Sequence, residues 1–365
     1  MKLKTLLITL LSTIFVLLLS SLILRFSYNT SSSSSVYILP KTKSPKVILF
    51  IGDGMGPNHV LNTEMYYDKK MSFSSFDLIG EVKTNSRFIF GPTDSAAAAT
   101  ALATGKKVNN KEVGWHNDKN IKNIMETAQD LGLGTGIVTT DNLYGATPAS
   151  FSAHTSSRNN TEEIIKCQAN SKIDILLGAG KKEYNKYEKL FLDNDYNIYN
   201  DMYIDTNNKK IIATFDTVGY QNKGFESPDL IELAKIAIEN LEKNFPNGYV
   251  LMIEGAHIDK KSHANNIDEM MKYLENFSET ISYVNNYFKN DEDTTIIVTA
   301  DHETGGLKKA ETKYQLNDNL YTRTGHSSKN VNYYIKDNSN RLKGLVNKKI
   351  DNTDIFKICK ALIES

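Results

Sequence analysis

Acidic and histidine side chains recur in short strings that long stretches of chain separate. Asp259 and His263 lie four residues apart, so a helical turn would place both side chains on one face. Carboxylate and imidazole groups at this spacing suit zinc, although a solvated helix start would show the same pattern. Asp301 and His302 directly follow an apolar run, where a charged pair is costly unless a cation compensates it. These strings predict a metal site with oxygen and nitrogen ligands.

A serine opens an alanine-rich segment that has helix signals at both ends. Asp94 can cap the segment and Gly105 can end it, which places Ser95 in the first turn. At that position the helix dipole and free backbone N–H groups favour an alkoxide and a bound phosphate. A capped small-residue helix used for close packing would look the same. Because no histidine is near Ser95 in the sequence, a metal ion is the more natural activator of its hydroxyl.

Asp53 lies in a glycine-rich string, Ile51 to Gly56, directly after an apolar run. The glycines permit a tight turn and let other groups approach closely. Alone, this string indicates only generic phosphate or ligand binding.

The elements that must position these residues follow an α/β pattern. From Val47 onward, β-branched runs alternate with helical patterns, which predicts a central, mostly parallel sheet sandwiched by helices. The predicted strands are Val47–Ile51, Gly136–Thr140, Ile173–Leu177, Tyr249–Ile253 and Thr295–Thr299. Polar residues follow several of these runs directly. Since ligands bind at the carboxyl ends of parallel strands, we expect these residues to meet in one crevice.

Helices are predicted where apolar residues recur every three or four positions, over Ile121–Leu131 and Ile267–Phe288. A third helix is expected from Ser227 to Lys243, with Pro228 in its first turn. The Asn-, Lys- and Tyr-rich stretches 181–224 and 306–350 are interpreted as compositional bias and surface insertions.

Composition excludes several classes of protein. The 365 residues carry 43 Lys and Arg against 43 Asp and Glu, so no bulk charge gathers nucleic acid. The 40% hydrophobic and 24% charged residues argue against disorder and against a polytopic membrane protein. The 2 cysteines, Cys167 and Cys359, form no CxxC pair, which excludes a disulfide scaffold or a cysteine-ligated metal site.

The N-terminus has the pattern of a membrane segment. Lys2 and Lys4 precede an uncharged, apolar run over residues 5–24, about the length that spans a bilayer as a helix. Residues 1–26 are predicted to be a signal anchor, with a cleaved signal peptide as the alternative, and 27–45 a Ser- and Pro-containing tether. Residues 46–365 would be the catalytic domain. The charge pattern predicts a cytoplasmic N-terminus and an extracytoplasmic remainder, membrane-anchored or, after cleavage, secreted.

Several separated strings together resemble the alkaline phosphatase family, from about residue 46 to the C-terminus. They are Phe50–Gly56, Thr93–Ala101, Ala146–Ala149 with His154 and Arg158, Glu254–Asp259 with His263, Thr299–His302 and Thr324–His326. The order and number of these strings make the resemblance specific.

The resemblance implies an alkaline-phosphatase-like fold and a site with two zinc ions and one magnesium ion. Asp259, His263 and His326 match the ligands of one zinc ion, and Asp53, Asp301 and His302 match those of the other. Asp53 would also contact magnesium, together with Thr147 and Glu254. Ser95 would be the nucleophile and Arg158 the phosphate clamp. The implied activity is hydrolysis of small phosphate monoesters through a phosphoserine. Many family members are homodimers, so the resemblance also implies a possible homodimer.

Two positions bear on how far the match extends. Gly145 lies two residues before Thr147, where many family members have Asp or His near the magnesium, so the third metal is left open. Lys260 matches a phosphate-side lysine of some members, or is a solvated lysine.

Two other functions fit parts of the pattern. A related two-metal enzyme could cleave phosphodiesters or move phosphate within a sugar. Arg158 favours a monoesterase, because it would bind a group with three non-bridging oxygens, which a diester lacks. A non-catalytic surface protein could keep the fold and capture only phosphate or metal. A chain of that kind is expected to lose a ligand or the nucleophile, and the matched set departs only at Gly145.

Overall fold

Apolar runs of the chain pair with one another in a large central sheet. The computed structural model describes residues 37–88, 90–219 and 227–365. The sheet strands are β1 (Lys46–Gly52), β2 (Leu78–Lys83), β5 (Gly134–Asn142), β6 (Ile175–Ala179), β7 (Asn197–Tyr199), β8 (Ile211–Phe215), β9 (Tyr249–Gly255), β10 (Thr294–Thr299), β13 (Val331–Asp337) and β14 (Lys349–Asp351). Their order across the sheet is β14-β2-β13-β10-β1-β9-β5-β6-β8-β7. Strand β13 runs antiparallel to β10 and β2, and the other pairings are parallel.

Helices flank this sheet, and two small two-stranded sheets lie outside it. The helices are α1 (Pro57–Tyr67), α2 (Ser95–Thr104), α3 (Ile124–Asp130), α4 (Ala146–Ser150), α5 (Thr161–Asn170), α6 (Lys181–Tyr184), α7 (Glu188–Leu192), α8 (Leu230–Asn244), α9 (His257–His263), α10 (Ile267–Tyr287) and α11 (Asn352–Ile363). Short 3-10 turns occupy Ser72–Ser75, Asn185–Tyr187, Lys313–Gln315 and Asp318–Leu320. The small sheets pair β3 (Trp115–His116) with β4 (Lys119–Asn120), and β11 (Glu303–Thr304) with β12 (His326–Ser327).

The runs that the sequence predicts as strands form the middle of the sheet, in the order β10-β1-β9-β5-β6. Strand β1 shows why these runs were recognisable. It pairs with β9 on one side and β10 on the other, and its residues from Val47 to Gly52 are all buried. A parallel strand covered on both faces needs a continuous apolar run. The predicted α/β fold with a mostly parallel sheet is confirmed.

The outer strands correct one interpretation. The stretches 181–224 and 306–350 are not only surface insertions, because β7, β8 and β13 lie within them. Strand β8 is fully buried, yet it has five residues and stands among Asn and Lys residues that dilute its apolar signal.

Two predicted helix boundaries shift by three residues. The helix expected from Ser227 begins at Leu230, because the Asp229 side chain caps it by accepting from the backbone N–H of Glu232. The helix expected from Ile121 begins at Ile124 in the same way, with Asn123 as its cap. In both cases the capping side chain, rather than the apolar pattern, sets the first residue.

Helix α10 buries its apolar face against the sheet, as its periodicity predicts. Phe277 is fully buried and packs edge-on against Phe50 of β1, with ring centroids 5.8 Å apart. A Cβ at Gly255, the last residue of β9, would come within 2.7 Å of the Phe277 ring. The missing side chain therefore lets α10 lie close to the strand end that carries Glu254.

The predicted membrane segment, residues 1–26, lies outside the described residues, as does most of the predicted tether. Within residues 37–45, Tyr37 and Leu39 are half-buried against the core. Across the described parts of the chain, no helix has the length and apolarity needed to span a bilayer.

Replacing Phe277 with alanine tests the packing of α10 on β1. We expect Phe277→Ala to lower the free energy of unfolding by about 3–5 kcal/mol, because it removes a buried ring and leaves a cavity. Urea unfolding would measure the loss. The matched variant Glu279→Ala, at an exposed position of the same helix, should change stability by less than about 0.5 kcal/mol. A loss below about 1 kcal/mol for Phe277→Ala would contradict this packing.

Candidate active site

The predicted site residues meet at one edge of the central sheet. Asp53 follows β1, Glu254 is the penultimate residue of β9, and Asp301 comes shortly after β10. Because β1 is parallel to both β9 and β10, the three carboxyl ends point the same way. The strand ends therefore bring carboxylates from distant parts of the sequence into one crevice, as expected.

One group of possible metal ligands consists of Asp53, Asp301 and His302, which are all buried. Nε2 of His302 lies 3.1 Å from Oδ2 of Asp301 and 3.6 Å from Oδ1 of Asp53. Oδ1 of Asp301 accepts from the backbone N–H groups of Gly54 and His302, which fixes the carboxylate. Oδ1 of Asp53 and Oδ2 of Asp301 are buried without a hydrogen-bond partner. A coordinated cation would satisfy both oxygens.

A second group consists of Asp259 and His263 on α9 and His326 on β12. Nε2 of His263 lies 3.3 Å from Asp259 Oδ2 and 3.1 Å from Nε2 of His326. Nδ1 of His263 contacts the Thr324 carbonyl, and Nδ1 of His326 lies 2.8 Å from the Thr93 carbonyl. Because a carbonyl can only accept, each Nδ1 carries the proton when its ring is neutral. Nε2 is then free to bind a metal.

The two groups adjoin each other. The rings of His302 and His326 stack with centroids 3.5 Å apart. The Thr304 hydroxyl donates to Asp259 and lies 3.3 Å from Nδ1 of His302, so it contacts both groups. At Gly54, φ is +72° and a Cβ would come within 2.8 Å of Asp259 Oδ1. Glycine is therefore needed at this position for the turn and for the close approach of α9.

Glu254 and Thr147 form a third cluster of oxygen atoms. Glu254 is buried, and its carboxylate accepts from the hydroxyl of Thr139 on β5. Thr147 is in α4, and its Oγ1 is buried without a hydrogen-bond partner. An unsatisfied hydroxyl close to a buried carboxylate again fits a bound cation.

Ser95 is the first residue of α2 and adjoins the first ligand group. Asp94 caps the helix by accepting from the N–H of Ala97, and Gly105 ends it in the left-handed region, as the sequence predicts. Ser95 is nearly buried, and its Oγ lies 3.1 Å from Nε2 of His302. A histidine far away in the sequence thus contacts this hydroxyl.

Arg158 reaches the same place from the loop before α5. Its NH1 group lies 3.5 Å from Oδ2 of Asp94, the residue next to Ser95. The Arg158 side chain is about one-third exposed. Its guanidinium therefore stands beside the serine with N–H donors still available.

The charges of this crevice do not balance without cations. Burial raises the pKa of Asp53 well above its usual value, and the neighbouring carboxylates Asp301 and Asp259 add to the shift. Burial also raises the pKa of Asp301 to about 7 and that of Glu254 to about 8. Burial opposes ionisation of Asp259 too, but its hydrogen bond with His263 holds its pKa below the usual value. Burial therefore opposes ionisation of Asp53, Asp301 and Glu254, and bound divalent cations would favour their charged forms.

Sequence reasoning missed several polar neighbours of the site. Thr304 contacts Asp259, and Asp141 near the end of β5 accepts from Lys260. Asp141 carries a signal similar to that of Asp53 and Asp301, because it is an acidic residue at the carboxyl end of a mostly apolar strand. Thr304 carries no such signal, since its contact depends on how the loop after β10 folds back.

The remaining histidines mostly have packing roles. His59 is buried, with Nε2 3.0 Å from the Ser262 hydroxyl, and His154 pairs with Glu126. His257 contacts the Val218 carbonyl through Nε2.

Known proteins are similar to this chain in sequence and in fold. The family profile described as alkaline phosphatase matches residues 44–221 and 190–361. Alkaline phosphatase 4 of Bacillus subtilis is 32% identical over 292 residues, which cover 73% of this chain and 63% of that protein. Alkaline phosphatase 3 of the same organism is 33% identical over 286 residues, or 71% of this chain and 61% of that protein. The chain thus spans about three-fifths of the length of these relatives.

A solved structure shows the same architecture. The alkaline phosphatase of the Antarctic bacterium TAB5 superposes with a TM-score of 0.75 at 29% identity, over 88% of this chain and 99% of that one. The sheet order, the ligand groups at the strand ends and the serine at the start of α2 thus accompany a match along most of the sequence. The chain belongs to the alkaline phosphatase family.

Proposed function

We propose that this chain hydrolyses phosphate monoesters through a phosphoserine at Ser95. The observation that carries the proposal is the position of the Ser95 hydroxyl, at the start of α2 and 3.1 Å from Nε2 of His302. Two groups of metal-binding side chains adjoin there. The relatives named alkaline phosphatases support the same reaction.

The proposed metals are two zinc ions and one magnesium ion. Asp259, His263 and His326 would hold one zinc ion, and Asp53, Asp301 and His302 the other, since mixed imidazole and carboxylate sets suit zinc. Asp53, Thr147 and Glu254 offer oxygen atoms only, which suits magnesium. A mutant of the TAB5 enzyme was solved with magnesium bound. Bound zinc ions would supply Lewis-acid stabilisation of negative charge and would lower the pKa of a nearby hydroxyl.

Ser95 would act as the nucleophile. Its Oγ forms a bond to phosphorus while the bond from phosphorus to the ester oxygen breaks. The Ser95 proton ends on that ester oxygen, which leaves as the alcohol. Water then attacks the phosphorus atom of the phosphoserine, and the bond from phosphorus to Oγ breaks. The water oxygen stays on the released inorganic phosphate, and one water proton passes to Oγ of Ser95. Because Ser95 is in the first turn of α2, the helix dipole and free N–H groups stabilise negative charge beside it.

Arg158 would hold the phosphoryl group. Its planar guanidinium can donate to two non-bridging oxygens at once. Asp94 contacts the guanidinium and also caps α2, so one carboxylate would orient the clamp relative to the nucleophile.

The extracytoplasmic location, the membrane anchor and the homodimer stay predictions of the sequence. Residues 5–24, which would form the anchor, lie outside the described residues.

Removal of the Ser95 hydroxyl tests the nucleophile. We expect Ser95→Ala to lower kcat for an aryl phosphate at least about 10³-fold, because no other hydroxyl takes its place. A chelator should abolish turnover by the wild-type chain, and added zinc should restore it, whereas zinc should not rescue Ser95→Ala. The exposed Ser75→Ala is the matched control and should retain activity. Substantial turnover by Ser95→Ala would contradict the phosphoserine route.

Substitution of Arg158 tests the clamp. We expect Arg158→Ala to lower kcat/KM about 10²-fold, since charge-assisted hydrogen bonds to phosphate are lost. Arg158→Lys should recover only part of the loss, because an ammonium cannot donate as a planar fork. Steady-state kinetics and inhibition by inorganic phosphate would measure both variants. Arg87→Ala, at an exposed position, should behave like wild type, and equal activity of Arg158→Ala would refute the clamp.

Substrate comparison separates this reaction from cleavage of diesters. We expect kcat/KM for an aryl phosphate to exceed that for a bis-aryl phosphate by at least about 10²-fold, because the diester lacks an oxygen that the site is built to bind. The reverse preference would identify a phosphodiesterase. Phosphate binding without turnover of either ester would identify a non-catalytic protein.

A further inference from the structure

An unassigned ion pair lies beside the oxygen cluster of Glu254 and Thr147. The carboxylate of Asp141 accepts from Nζ of Lys260, which follows Asp259 on α9. The Asp141 side chain is mostly buried, with 19% of its surface exposed. Lys260 also lies within electrostatic reach of Glu254 and Asp53. A lysine charge therefore stands close to residues that the proposed function assigns to a cation.

An irregularity in strand β5 orients the side chain of Asp141 toward Lys260. Val138 pairs with Leu177 and Asn142 with Ala179, so β5 bulges relative to β6 across the segment that contains Asp141. Bulges re-aim side chains at strand ends. The N–H of Asp141 also donates to the Thr139 hydroxyl, 2.8 Å away, and that hydroxyl in turn donates to Glu254. Asp141 is thus tied to Lys260 by its side chain and to Glu254 through Thr139.

The glycine at position 145 leaves room for this carboxylate. A Cβ at Gly145 would lie 2.5 Å from Oδ2 of Asp141 and 2.9 Å from the carbonyl of Asn142. Gly145 has φ −59° and ψ 162°, a conformation open to other residues. Space, rather than backbone strain, therefore accounts for glycine here. The absence of a side chain at position 145 leaves the space that the Asp141 carboxylate occupies.

We propose that Asp141 is a positioning residue for the magnesium site, which holds the Lys260 ammonium and compensates its charge beside Asp53, Thr147 and Glu254. The inference rests on the proposed function. An ammonium without this partner would repel a divalent cation at close range. The contribution of Asp141 is therefore to permit Mg²⁺ and the lysine to coexist next to the phosphate site.

Magnesium binding by the zinc-loaded full chain tests this role. We expect Asp141→Asn to raise the Kd for Mg²⁺ about 10–100-fold by equilibrium dialysis, as is typical when a residue that supports metal ligands is changed. Zinc content should stay at the wild-type value. The double variant Asp141→Asn, Lys260→Ala should recover most of the loss, because the uncompensated ammonium is gone. A purely structural role for Asp141 would give no such recovery.

Two further variants keep the test decisive. Gly145→Ala retains Asp141 but crowds its carboxylate, and it should weaken Mg²⁺ binding in the same direction even if Asp141→Asn does not fold. Asp77→Asn removes the carboxylate of the surface pair with Lys336 and should leave Mg²⁺ binding unchanged.

The outcomes separate this inference from the proposed function. If the wild-type chain binds Mg²⁺ and hydrolyses aryl phosphate while Asp141→Asn and Gly145→Ala bind Mg²⁺ equally well, only the role of Asp141 is overturned. The same holds if Lys260→Ala fails to recover the loss. A wild-type chain that takes up no Mg²⁺ beside zinc would overturn the proposed magnesium site together with this inference.

Discussion

The constraint on which the site depends is the burial of several carboxylates at one edge of a sheet. Asp53, Asp301, Glu254 and Asp259 approach one another where water cannot screen their charges. Such a cluster is stable only if protons or cations neutralise it. The raised pKa values and the unpartnered oxygens of Asp53 and Asp301 are two signs of the same imbalance. Divalent cations resolve both, and they would do so next to the hydroxyl of Ser95.

The surrounding elements hold this unfavourable arrangement in place. The parallel pairing of β1 with β9 and β10 fixes the backbone positions of Asp53, Glu254 and Asp301. Gly54 and Gly255 permit the close packing of α9 and α10. Backbone carbonyls of Thr93 and Thr324 orient the rings of His326 and His263. The buried apolar core offsets the cost of placing these carboxylates together, because hydrophobic burial is the dominant favourable term in folding.

The positively charged side chains near the site are paired with carboxylates. Arg158 contacts Asp94 and Lys260 contacts Asp141, so each cation is paired with a carboxylate that lies in neither ligand group. Pairing of this kind would keep the guanidinium and ammonium near the proposed phosphate position without placing their full charge against the proposed metal ions.

The sequence alone determined the middle of the fold and most of the ligand types. Strands such as β1 and β9 are apolar along most of their length because both faces are covered, and polar residues such as Asp53 and Glu254 stand out where these strands end. Strand β8, the exact start of α8 and the contact of His302 with Ser95 needed the tertiary structure. So did the pairing of Asp141 with Lys260, 119 residues further along the chain. The periodicity of apolar residues in the sequence shows which face of a helix or strand is buried. Which distant side chains come into contact is decided by the tertiary structure, and there buried charges must be paired because burial of an unpaired charge is costly.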